Sequence, residues 1–154
     1  MASTHPSVLA LLAVHGGDDP DAAIRQRARA LVAEVMDLGW EGPPFSMREL
    51  ASVRGYRVSE SDTLSGDQDA FITAGQIVVN ASVAPVRQRY SIAHEIGHTL
   101  FPDFGEEIAR QARIWLRPKD ESELEQLCQS AAAEFLMPVS IFGEMVRAKG
   151  RGII

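Results

Sequence analysis

The chain predicts an α+β domain, and three observations predict it. Helical periodicity and helix caps fill the chain as far as Val53. Short β-rich runs then lie between Tyr56 and Asn80, and helical patterns return from Pro85 onward. Helices grouped on either side of a block of strands fit α+β rather than an alternating α/β order.

Each element has a local cause. Residues 7 to 14 form an apolar helical run that ends at Gly16-Gly17. Asp19-Pro20 supplies an N-cap and a proline at the first helical position, and the periodic run from Ala22 to Leu38 makes a second helix closed by Gly39. Trp40 to Phe45 is a turn-rich connection. Ser46-Met47-Arg48-Glu49 is a capping box that opens a short helix to about Val53. Alternation favours a strand near Tyr56 to Ser59, and Ser61 to Gln68 is polar and loop-like. Ala70 to Thr73 and Gln76 to Asn80, separated by Ala74-Gly75, form a hairpin within a small antiparallel sheet. Pro85 starts a long helix that stops at Pro102. Asp120 caps another helix, with Glu123 in the capping-box position, that runs to about Met137. Pro138 opens a last short helix to about Arg147.

A length of 154 residues suits one domain, able to bury roughly two thirds of the surface its unfolded chain exposes. A net charge of -6 leaves no basic excess to neutralise phosphates, which argues against direct nucleic-acid binding and against docking on a membrane surface. The single cysteine, Cys128, precludes an internal disulfide and fits a reducing cytoplasm. The apolar run Val8 to Val14 is too short for a membrane span and lacks a basic residue before it.

The helix from Pro85 carries the chemistry, in the stretch YSIAHEIGHTLF from Tyr90 to Phe101. At about 100° per residue, His94 and His98 share one face, with Tyr90 and Phe101 beside them. Ile92, Ile96 and Leu100 form the opposite, core-facing side. Ala93 and Gly97 are small and admit close approach of another element. Two neutral imidazoles four residues apart can direct nitrogens at one zinc ion. Glu95 turns away from the metal axis, so it reaches a water in the open position rather than the metal, as a general base would. The plain alternative is a set of exposed polar residues on an amphipathic helix.

A catalytic zinc commonly takes a third protein ligand. The helix after Asp120 offers Glu121, Glu123, Glu125 and Glu134. The first turn accounts for Glu121 and Glu123 through the cap and the helix dipole. Glu125 is the carboxylate least explained by local structure, and Glu121 is the runner-up. Cys128, one turn beyond Glu125, is weighed as a further ligand or redox sensor and read as a small buried side chain. His5 is assigned to a frayed terminus and His15 to a helix C-terminus. A faint helix-turn-helix look around Ser46 to Val53 is discounted on charge.

The combination of His94-Glu95-Ile96-Gly97-His98, Glu125-Gln126-Leu127-Cys128 and Ala132-Ala133-Glu134-Phe135-Leu136-Met137-Pro138 resembles the ImmA/IrrE metallopeptidases. Arg87 and Tyr90 fit the part of that pattern preceding the histidines, as does a strand ending at Asn80. Gln129 stands where the family usually has Asn, and Ala131 where it has Phe. The likeness covers about residues 46 to 147, the motif-bearing core of a single domain, with residues 1 to 45 as its helical N-terminal part. It implies a zincin-like fold, Zn2+ as cofactor, Glu125 as third ligand beside His94 and His98, and Glu95 as the catalytic residue. Tyr90 is a candidate to stabilise a developing oxyanion and equally a face-packing aromatic. The resemblance also implies a cytoplasmic endopeptidase whose protein substrate is a helix-turn-helix transcriptional repressor, in a stress or mobile-element response. The rival expectation is a metal-stabilised module that binds a repressor or toxin without cutting it.

Overall fold

The computed structural model describes residues 5–42, 45–64, 68–105 and 121–138, the side chain of Glu121 excepted. The expected cap at Asp120 and the last helix from Pro138 to about Arg147 lie outside the described residues, apart from Pro138 itself.

The first two helices pack against each other across a short connection that includes Gly16, and both begin on a proline. In α1 (Pro6–His15), His5 is the N-cap: its Nδ1 accepts a hydrogen bond from the Ser7 N–H at 3.1 Å. His5 is buried rather than frayed. Gly16 ends α1 in the left-handed region, φ 88°, which a side chain would disfavour. In α2 (Pro20–Asp37), the Asp19 carboxylate accepts from the N–H groups of Asp21 and Ala22, satisfying donors that the helix itself leaves free. Ala23, Ile24, Ala28, Leu31, Val32 and Val35 form its buried stripe. Ser46 caps α3 (Met47–Val53) by accepting from the Glu49 N–H at 3.2 Å.

Three strands follow: β1 (Arg57–Ser61), β2 (Ala70–Thr73) and β3 (Gln76–Asn80). β2 and β3 pair antiparallel across the expected hairpin, with Phe71 opposite Val78 and Ile72 opposite Ile77. β1 pairs with β3 in parallel, Val58 opposite Ile77, so the order is β1-β3-β2 and the sheet is mixed. This refines the expected antiparallel sheet within the same α+β class. Alternation identifies strands, whereas the direction of a non-adjacent pairing depends on the long-range route of the chain.

β3 ends at Asn80, which is fully buried and joins strand to helix. Its Nδ2 donates to the Gln68 carbonyl at 2.9 Å, and its Oδ1 accepts from the Ser82 N–H and hydroxyl at 3.0 and 2.6 Å. That turn leads into α4 (Pro85–His98), whose Ile92, Ala93, Ile96 and Gly97 are buried. Burial of each large aliphatic side chain contributes roughly 1.5–3 kcal/mol. At the far end, Arg54 donates to the Thr99 carbonyl at 2.7 Å and to its Oγ1 at 3.2 Å, placing positive charge where the helix dipole favours it.

α5 (Glu121–Leu136) packs directly on α4, and α4 also rests on β2 and β3. The approach of the two helices is close because Gly97 has no side chain. A β-carbon there would lie 3.0 Å from the Cys128 carbonyl oxygen and 3.3 Å from the Ala131 β-carbon. On another face α5 packs against α2. There the buried Glu134 meets Arg25 at 3.3 Å and Arg29 at 2.9 Å, and Ser130 donates to Asp21 at 2.6 Å. No described helix is long and apolar enough to cross a membrane.

Candidate metal centre

α4 presents His94 and His98 one turn apart, their ring centroids separated by 5.3 Å. α5 brings Glu125 to both rings. Its Oε2 lies 2.6 Å from His94 Nε2 and its Oε1 lies 3.3 Å from His98 Nε2. The imidazoles are set into the wall, 13% and 14% exposed, while Glu125 keeps 42% exposure at the solvent edge. The three residues picked out from 31 positions apart in sequence therefore meet in space. This meeting depends on Gly97: the helices touch beside it, one residue before His98 and level with Cys128.

The donor set can be tested against a metal. A tetrahedral zinc with bonds of about 2.0–2.1 Å imposes ligand separations of about 3.3 Å. The two nitrogen–oxygen distances, 2.6 and 3.3 Å, are at or inside that value. Two imidazole nitrogens and a carboxylate suit a borderline divalent cation, and they fit the group.

Electrostatics point the same way. Burial of the Glu125 carboxyl opposes ionisation, yet hydrogen bonds to His94 and His98 hold its pKa well below the ordinary carboxylate range. Burial disfavours a charged His98, but Cys128, Glu125 and Glu95 outweigh it and raise the pKa of His98 well above its ordinary value. The cluster thus favours a positive charge between these groups, carried by a proton or by a cation in its place.

Glu95 lies close enough to feel the charges of His98, His94 and Glu125. Burial raises its pKa, opposed by His98 and His94. A carboxyl with raised affinity for a proton, next to two imidazoles, has the property a general base requires. Tyr90 stands one turn before His94, 41% exposed, with its ring centroid 6.3 Å from that of His94. Burial and then the Glu125 charge raise its pKa, so its hydroxyl is a donor at neutral pH.

Cys128 combines the expected burial with a polar contact. It is fully buried, as expected of a small packing residue. Its sulfur also makes a hydrogen bond with His98, and the donor atoms of His94, His98 and Cys128 all lie within 4.8 Å of one another. The signal available beforehand was its position three residues after Glu125, on the same helix face. The side chain of Glu121, the runner-up ligand, is outside the described structure.

Comparison with known proteins agrees in kind. A family profile described as the IrrE N-terminal-like domain, a peptidase family, matches residues 51–153. The chain is 34% identical over 74 residues to a radiation response metalloprotease IrrE of Deinococcus radiodurans, covering 48% of this chain and 23% of that protein. It is 30% identical over 121 residues to the protein of the same name in Deinococcus deserti, covering 68% of this chain and 43% of that one. The chain thus spans less than half the length of either relative.

Proposed function

The chain belongs to the IrrE N-terminal-like peptidase family, and on that premise we propose that it is a zinc-dependent endopeptidase. His94, His98 and Glu125 hold the metal and Glu95 is the general base. The observation that carries the reading is the convergence of Glu125 on both imidazoles at 2.6 and 3.3 Å. Zinc, when bound there, supplies a Lewis acid that lowers the pKa of water and polarises a peptide carbonyl.

The chain's own groups do the rest. Glu95 accepts a proton from the attacking water and returns it to the departing amine, a transfer helped by the raised proton affinity that burial gives it. Tyr90, neutral and on the solvent side of His94, donates to the oxygen on which negative charge develops. In the order β1-β3-β2, β2 is an outer strand, and it lies against α4. Its outer edge, without a partner strand among the described residues, can add an extended substrate segment by main-chain hydrogen bonds.

The substrate class follows from the family: a protein, and by the resemblance a cytoplasmic helix-turn-helix repressor in a stress or mobile-element response. The test is incubation of the zinc-loaded protein with a repressor encoded beside it, followed by mass spectrometry. Two fragments that sum to the repressor plus one water, absent after chelation, are expected. An intact repressor at full zinc loading contradicts the proposal and favours binding without cleavage.

A further inference from the structure

The metal reading uses Glu125 and leaves the neighbouring thiol without a task. Glu125 and Cys128 are one turn apart on α5, and both reach His98. They reach it from different environments, because Glu125 is 42% exposed and Cys128 is fully buried. The sulfur is held there by backbone packing. Gly97 lets the Cys128 main chain approach α4 so closely that a β-carbon would meet its carbonyl oxygen at 3.0 Å. With two imidazole nitrogens and a sulfur inside 4.8 Å of one another, the chain offers a second three-donor set that shares both histidines with the first.

We infer that Cys128 is a fourth protein donor to the metal held by His94 and His98, so that the centre has a closed, thiolate-ligated state beside its open one. The inference rests on the metal reading above. A site with His94, His98, Glu125 and Cys128 all bound has four protein ligands, the number characteristic of structural rather than catalytic zinc. Release of either α5 donor restores a position for water. Ligation requires the thiol to lose its proton, which passes to solvent as the metal–sulfur bond forms. A soft thiolate also biases the centre toward thiophilic cations such as zinc, cadmium and cobalt, and away from magnesium.

The test uses cobalt(II) as the probe with the metal-free full chain. Expected are visible d–d bands from one bound cobalt together with a near-ultraviolet sulfur-to-cobalt charge-transfer band. In Cys128→Ala and Cys128→Ser the charge-transfer band should vanish while the visible bands persist, shifted. Wild-type protein alone can overturn the inference: visible bands of full intensity without the charge-transfer band mean that the sulfur does not ligate. A charge-transfer band retained in both variants would overturn it equally. Failure to take up cobalt at all would instead remove the metal reading on which the inference rests.

Discussion

At the scale of single residues, the centre depends on what Gly97 lacks as much as on what His94 and His98 carry. Gly97→Ala places a β-carbon 3.0 Å from a backbone oxygen, which cannot swing aside as a flexible side chain would. The variant should lose about 1–3 kcal/mol of stability in denaturant titrations, and its zinc affinity should fall because α5 must move away. Unchanged affinity would mean that Glu125 reaches the rings without this close contact. Glu125→Ala should reduce zinc affinity by at least the roughly 10- to 100-fold that loss of an outer partner costs. Full retention, measured by competition with a chelating dye, would contradict its place as a ligand. The adjacency of His94 and His98 was legible in the sequence because a helix converts spacing of four into a shared face. The resemblance pointed to Glu125 over Glu121, and in the structure Glu125 meets both rings. Cys128 was weighed as a ligand and then read as a small buried residue, since its hydrogen bond to His98 depends on how two helices meet. His5 was misjudged for a similar reason: nearness to a terminus suggested fraying, but the ring caps α1 and is buried.

At the scale of elements, α5 must be held in place for Glu125 to face α4, and α2 holds it. Arg25 and Arg29 meet Glu134, whose side chain is 1% exposed, while their own side chains are 36% and 57% exposed. Either arginine alone still leaves the buried carboxylate a partner. The double variant Arg25→Ala with Arg29→Ala removes both and should cost more than the two single changes added together. Removing the partner of a fully buried charge costs roughly 3–5 kcal/mol, but these arginines keep solvent contact, so about 1–3 kcal/mol is expected. Chemical denaturation of the four-member set checks this, and simple additivity would show that Glu134 gains little from the pair. Nothing local signalled this clamp, because its partners are 105 and 109 residues apart. The Arg54 contact with the end of α4 spans 45 residues and was hidden in the same way. Helix limits fared better: Gly16, Asp19, Ser46 and Pro85 act on their own neighbours, and the helices begin or end beside them. The β2–β3 hairpin was legible from its two-residue turn, but the parallel partnership of β1 was not.

At the scale of the whole molecule, the proposed metal centre would join two helices that carry polar groups at their contact. Two imidazoles set into a wall, with a partly exposed carboxylate against them, are costly when desolvated without partners. A cation that binds only the folded state stabilises it by mass action, about 2.7 kcal/mol at a free concentration one hundred times Kd. Chelation should therefore lower the melting temperature and zinc should restore it; a melting curve indifferent to verified metal removal would make the site incidental to the fold. Under the proposed function, Glu95 serves the reaction and not the metal. A helix turns it about 100° from His94, and its proton affinity is raised by burial. The most direct measurement is zinc content and repressor cleavage for wild-type protein beside Glu95→Gln. Equal zinc is expected in both, with cleavage in the variant reduced by at least the roughly 10²–10⁴ attributed to general acid–base catalysis. Loss of zinc from Glu95→Gln, or cleavage at the wild-type rate with zinc retained, would contradict it.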